Sequence, residues 1–321
     1  MTLTPSSAAI QIAFNASSAE LVETADGASL SLPLPHLAGA DGESLGSPGA
    51  SLRWEDGFLI VEDETSLIGA TLIDAADRLE APVERAYRTL LRLTQDWHLY
   101  RIWNYIPGIN EVRGGLERYQ QFNIGRWAAF ESLYGWDMRS FMPAASAVGL
   151  QGDTAVLIFQ AGRTRAEYLE NPSQIPAYHY PADYGPRPPG FARGVVADCP
   201  AHRLALLSGT ASIEGHRSIG AGDLKAQLRV TQHNIETMLR RMRAAAAWKP
   251  ALWARDGIGQ AQFKCYLRHP EHLPQVRQWL RESCGQDDHF SYVQADICRS
   301  DLDVEIEGHA ELSPSQAAYA D

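Results

Sequence analysis

From Leu52 onward the apolar residues change period in blocks, and each change predicts an element. Phe58 to Val61 and Ser66 to Leu72 read as a hairpin, followed by a helical pattern over Asp74 to Thr94 interrupted near Pro82. An apolar strand follows at Leu99 to Ile106. Ile124, Trp127, Phe130 and Tyr134 then recur at helical spacing, with Gly135 placed to end the helix, and Ala155 to Gln160 reads as a buried strand. The second half repeats this order. Arg203 to Ser212 predicts a strand, and Asp223 starts a helix whose Leu224, Leu228, Ile235 and Leu239 share one face up to about Ala247. A strand at Gln262 to Leu267 and a helix at Leu273 to Cys284 complete it. Both halves read hairpin, helix, strand, helix, strand, which predicts an internal duplication. Residues 24–50, rich in Gly, Ser, Ala and Pro, lack sustained periodicity and predict an irregular segment, with ordered structure beginning near Leu52.

Two short strands are predicted at the end of the second half. In Tyr292 to Cys298, Val293, Ala295 and Ile297 alternate with Gln294, Asp296 and Cys298; in the next, Leu302, Val304 and Ile306 alternate with Asp303, Glu305 and Glu307. Three carboxylates on one strand face repel one another unless a site uses them, so this region is the first candidate for chemistry.

Composition narrows the function. The 321 residues are 45% hydrophobic, enough for a sizeable core and about two domains. The predicted division is an irregular 1–50, a first half over 51–180 and a second over 181–321. A net charge of −11 without any Lys/Arg run argues against nucleic acid or an anionic membrane as partner, so an anionic substrate has to be gripped by a few focused arginines. Neither a signal peptide nor a membrane span is evident, which makes the cytoplasm the expected location. Cys199, Cys265, Cys284 and Cys298 form no CxxC pair, and His269 and His272 lack the spacing of a zinc helix. No metal or other cofactor is expected.

The run Leu207-Ser208-Gly209-Thr210-Ala211, then Gly222-Asp223-Leu224 with Gln227 and Asn234, then Val293-Gln294-Ala295 and Val304-Glu305-Ile306-Glu307, resembles the trimeric imine and enamine deaminases. That family carries an anion-binding arginine before its closing strands, where this chain has Phe290 in one copy and Ala145 in the other. A resemblance covering about Leu52 to Gly308 is to the chorismatases. It rests on Trp103-Asn104-Tyr105-Ile106-Pro107, Glu117-Arg118-Tyr119 with Gly125-Arg126, Tyr184-Gly185-Pro186-Arg187-Pro188-Pro189 with Phe191-Ala192-Arg193-Gly194, and Cys298-Arg299 with Glu305. It implies an α+β fold of two similar mixed-sheet-plus-helix halves, like a duplicated imine-deaminase or chorismate-mutase-like fold, with the active site formed largely by the second half. A monomer is expected from the duplication.

The implied substrate is chorismate, split into pyruvate and 3-hydroxybenzoate with 4-hydroxybenzoate as a second product. Its two carboxylates call for two cationic clamps, and its enolpyruvyl ether for a proton donor. The proline-rich loop Pro181 to Gly194 preorganises Tyr184, Arg187 and Arg193 for one clamp. Tyr119 and Arg126, seven residues apart on one helical face, suit the second; alternatively Arg126 pairs internally with Glu117 or Glu131. The resemblance makes Glu305 the acid–base group, with Asp303 and Glu307 as neighbours able to raise its pKa or as plain surface groups. It adds Gly209, Ala211 and Gln294 to the binding site and makes Cys298 a product-determining residue. A cysteine there is similar to the hydroxybenzoate-releasing branch, whereas a small Ala211 is similar to the branch that stops at a dihydroxycyclohexadiene carboxylate. A deaminase and a non-catalytic sensor are the rival readings.

Overall fold

The duplicated order read from the sequence emerges strand for strand. The structure, a computed structural model, describes residues 9–312 except 26, 47–48, 136–140, 200–201, 246–260 and 286. The first half comprises β6 (Ser51–Glu55), β7 (Phe58–Glu62), β8 (Ser66–Asp74), α1 (Glu80–Leu93), β9 (His98–Pro107), a small ribbon of β10 (Val112–Arg113) and β11 (Leu116–Glu117), α2 (Arg118–Tyr134), β12 (Ala144–Leu150) and β13 (Thr154–Gly162). The second comprises β14 (Ala166–Leu169), β15 (Gly194–Asp198), β16 (Arg203–Ala211), the ribbon β17 (Ile213–Glu214) and β18 (Arg217–Ser218), α3 (Leu224–Ala245), β19 (Ala261–Leu267), α4 (Leu273–Cys284), β20 (Phe290–Gln294) and β21 (Val304–Leu312).

The sheet orders are β12-β9-β13-β8-β7-β6 and β20-β19-β21-β16-β15-β14, the same topology twice. In each, the first closing strand runs parallel to the central strand and the second antiparallel to it. Helices α1 and α2 cover the outer face of the first sheet through Tyr87, Leu90, Phe122 and Phe130, and α3 and α4 cover the second through Leu228, Ile235, Val276 and Leu280. The inner faces oppose each other, since Arg101 and Trp103 of β9 reach Glu307 of β21.

Several boundaries differ from the sequence reading. The described residues of 9–46 are not irregular. They form β1 (Ala9–Ala13), β2 (Glu20–Thr24), β3 (Gly27–Ser31) and β5 (Gly42–Gly46) in a sheet ordered β2-β3-β1-β5, while β4 (His36–Ala38) adds to the edge of β20. Short strands of only three to five residues separated by Gly, Ser and Pro carry too little periodicity to stand out. The second sheet begins at β14, ahead of residue 181, because Ala166–Leu169 pairs with β15. Helix α1 starts only at Glu80. Pro82 lies in its first turn, where its missing N–H has no helical partner to lose. The predicted helix end near Ala247 lies outside the described residues, which carry α3 to Ala245.

The strand predicted over Tyr292 to Cys298 ends at Gln294. From 295 the chain is a loop pinned by Arg268, whose guanidinium donates to the carbonyls of Leu302 (2.8 Å) and Arg299 (2.9 Å). Ile297 makes a single bridge to Val148 of β12, which holds Cys298 against the first half.

Candidate active site

A cavity of about 160 Å³ opens at the seam where the edge strand β12 meets β16. Both halves line it and the second contributes the larger share, as expected: α2 and β12 supply Tyr119, Arg126 and Ser146, while the second half supplies Tyr184, Arg193, Gly209, Ala211, Cys298, Arg299 and Glu305.

Its seam depends on a bulge. The pairing of β16 with β21 shifts register between Leu207 and Thr210. Ser208 there donates to the Ala192 carbonyl (2.6 Å) and accepts from the Ala145 N–H (3.0 Å), and the Gly209 N–H donates to Ser146 Oγ (3.0 Å). Bulges commonly redirect a strand beside a functional site. Glycine at position 209 leaves room for the Glu305 carboxylate, which a Cβ there would displace. Helix α2 is set by a similar close approach. A Cβ on Gly125 would run into the Glu80 carbonyl of α1, and the fully buried Arg118 ties the helix start to the carbonyls of Pro107 (2.6 Å), Asp77 (2.9 Å) and Ala75 (2.6 Å). Both devices fix where Tyr119 and Arg126 enter the cavity.

Glu305 and Glu307 are both buried on the inner face of β21, at 3% and 4% exposure, and their environments separate them. Burial, with Glu307 adding like charge, pushes the Glu305 carboxyl up to about 8 against the opposing pull of Arg101 and Arg193. It therefore carries a proton at neutral pH. Burial would push Glu307 up as well, but Lys264 and Arg101 hold it down at about 2. Glu307 accepts from Arg101 (2.8 Å), Trp103 Nε1 (2.9 Å) and Lys264 (3.1 Å). It is not a surface group. Asp303 precedes the strand and bonds to Gln227 (3.1 Å) instead of approaching Glu305.

Arg126 makes neither of the internal ion pairs considered above. It is 3% exposed, its guanidinium stands over the rings of Tyr87 (5.5 Å) and Phe130 (5.8 Å), and its Nε and Nη2 have no hydrogen-bond partner. A buried guanidinium with free donors facing a cavity is suited to a carboxylate, which accepts two parallel N–H bonds. Arg193 donates to Tyr180 Oη (2.7 Å) and keeps Nε unpartnered. Burial pushes the Tyr119 hydroxyl well above its usual range, so it is a neutral donor beside these cations. The Cys298 thiol, pushed up to about 12 by burial and by Glu305, is likewise neutral and is no nucleophile. It packs with Ala211, Ile213, Ile297 and Leu302, so the two positions singled out as product-determining share one apolar wall.

Two predicted binding residues fall outside the cavity. Arg187 is surface-exposed and pairs with Glu131 at 3.6 Å. Gln294 points to a separate small cleft with Arg268 and Asp296 because the end of β20 turns it away from the seam. Among the described residues, no cluster of three or more His, Cys, Asp or Glu is placed to hold a metal.

Residues 47–161 match the family described as chorismatase FkbO/Hyg5-like, N-terminal. A 3-hydroxybenzoate synthase of Streptomyces hygroscopicus is 35% identical over 79% of this chain and 76% of its own length. The chain belongs to the chorismatase family. A second relative from the same organism, a chorismatase, is 31% identical over 79% of this chain and 74% of its own. A chorismatase crystal structure superposes with a TM-score of 0.83 at 25% identity, covering 97% of this chain and 94% of that one.

Some chorismatase wall residues were not anticipated. Arg299 lines the cavity with its guanidinium 4.0 Å from the Tyr184 ring centre, held by the His216 carbonyl (2.8 Å) and Ser218 Oγ (3.2 Å). Its place beside Cys298 was the available signal. Ser146 and the Arg101–Glu307–Lys264 cluster had none, since partners 43 to 206 residues apart leave no local pattern.

Proposed function

We propose that this chorismatase cleaves chorismate to pyruvate and 3-hydroxybenzoate, with 4-hydroxybenzoate as a second product. The observation that carries the reading is Glu305, a buried carboxyl that retains its proton at neutral pH inside a cavity walled by Arg126, Arg193 and Arg299. The arginines suit the two carboxylates of the substrate. Glu305 delivers its proton to the enolpyruvyl methylene carbon, giving an oxocarbenium ion. The neighbouring ring hydroxyl attacks the ether carbon, the side chain leaves with the bonding pair as pyruvate, and the hydroxyl proton returns to Glu305. The resulting arene oxide opens with transfer of a ring proton to oxygen. Which of its two C–O bonds breaks decides between the 3- and 4-isomers. Atoms balance without water or a co-reactant.

A cofactor-free monomer fits this scheme, because one chain supplies both walls of the cavity. Cys199, Cys265, Cys284 and Cys298 form no disulfide, which suits a reducing cytoplasm, and no described helix is long and apolar enough to cross a membrane. A deaminase is disfavoured because Phe290, at the position of that family's arginine, lies in the core.

Incubation with chorismate followed by chromatography and a pyruvate assay tests the proposal. Hydroxybenzoates and pyruvate are expected in equal amounts, whereas a dihydroxycyclohexadiene carboxylate would indicate the hydrolytic branch. Glu305→Gln is expected to lower turnover by about 10²–10⁴-fold with the circular dichroism spectrum unchanged. Undiminished turnover in that variant would sink the assignment.

A further inference from the structure

The two carboxylates of β21 have unequal company. Glu307 takes Arg101 at 2.8 Å and Lys264 at 3.1 Å, and Lys264 also reaches Glu43 of β5 at 2.8 Å. Two cations and two anions thus close on themselves, Arg101 and Lys264 each being 2% exposed at the side chain. Glu305, two residues away, has no ion-pair partner among the described residues. A charge on it would be a buried anion without a direct ion pair, beside a cluster that already sums to zero.

We propose that Glu307 is a positioning residue for proton transfer: by engaging both inner-face cations, it withholds them from Glu305 and leaves the proton on that carboxyl. This rests on the reading of Glu305 as the acid. The groups facing Glu305 are Ala211 of β16 and Tyr266 of β19 by strand register, Arg101 of β9 and Arg193 by charge, and Ser146, Tyr119, Arg126, Glu117, Cys298 and Arg299 around the cavity. Those facing Glu307 are Lys264, Arg101, Trp103 and Ser146, with Glu43, Tyr105 and His309 behind them. Ser146 connects the two sites. Its Oγ accepts from Arg101 (2.7 Å) and from Gly209 N–H (3.0 Å), which leaves its own proton to give away.

Glu307→Gln removes a like charge next to Glu305 and frees two cations, and both changes favour the Glu305 carboxylate. The alkaline limb of kcat/KM is therefore expected to move down by about 1 pH unit or more, while Glu307→Asp, which keeps the anion, holds it near the native position. A substrate-independent measurement is infrared titration of the protonated carboxyl band in the unliganded protein, assigned by its loss in Glu305→Gln. Its midpoint should fall in Glu307→Gln. A smaller fall is expected in Lys264→Met/Glu307→Gln, which frees only Arg101 and covers poor folding of the single variant. A midpoint unchanged or raised in a folded variant lacking Glu307 overturns the proposal. Because the infrared readout uses no chorismate, its failure is separable from failure of the proposed reaction.

Discussion

The inner faces of the two halves share a backbone plan but differ in what they carry. Each central strand bears a buried cation, Arg101 on β9 and Lys264 on β19, and register from these cations aligns the closing strands: Gln160 corresponds to Glu307, and Ile158 to Glu305. Ile158 is fully buried in a cluster that includes Ile10, Leu30, Trp103 and Tyr105, so the N-terminal sheet fills the space against the first half. The corresponding space against the second half stays open as the cavity, with Arg126 and Arg193 aimed into it. A duplicated scaffold therefore needs only one uncovered inner face for a site, and covering the other allows apolar residues where the site has carboxylates.

The strongest test of that comparison is Ile158→Glu. A carboxylate in the covered copy has neither a cavity nor a partner, and a loss of about 3–5 kcal/mol in denaturant unfolding is expected. A change below about 1 kcal/mol would show that the two faces are not sorted by burial. Arg126→Met is expected to act in opposite directions on binding and stability. KM for chorismate should rise by about 30-fold or more as a charged contact to the substrate carboxylate is lost. The unliganded protein should become more stable by about 1 kcal/mol, because a buried guanidinium with unpartnered donors is replaced by an apolar chain. Thermal melts with and without substrate analogue read both arms. The smallest effect is expected at Cys298→Ala. Its neutral thiol touches the apolar wall, so pyruvate release should change by less than about threefold while the ratio of aromatic to diene products shifts in the chromatogram.

Much of the scaffold was legible because local periodicity encoded it: the amphipathic stripes of α3 and α4 and the apolar β9 appear where the pattern put them, and the alternation of β21 holds from Val304 onward, two residues later than expected. Glu305 was likewise visible as a carboxylate on an alternating strand. What escaped was settled by contacts distant in sequence. No pattern around Asp303 says that it leaves the strand for Gln227, nor does Glu307 announce a cation 206 residues earlier. Arg187 and Gln294 were placed through the resemblance, and nothing local to them says that one pairs with Glu131 at the surface and the other lines a separate cleft. The N-terminal strands were too short to register as a period, yet they cover the inner face of the first half and part of the second, at Tyr266 and Val293.

Those strands also impose an order on biosynthesis. Strand β4 pairs with Tyr292 and Val293 of β20, and Glu43 of β5 bonds Lys264. Residues 36–43 therefore emerge from the ribosome well over two hundred positions before their partners exist. Contacts of such separation close late in folding. The first half can assemble against the N-terminal sheet while the second is still being translated, but Arg101 and Trp103 on its inner face lack Glu307 until the last strand arrives, and chaperone occupancy should be greatest in that interval.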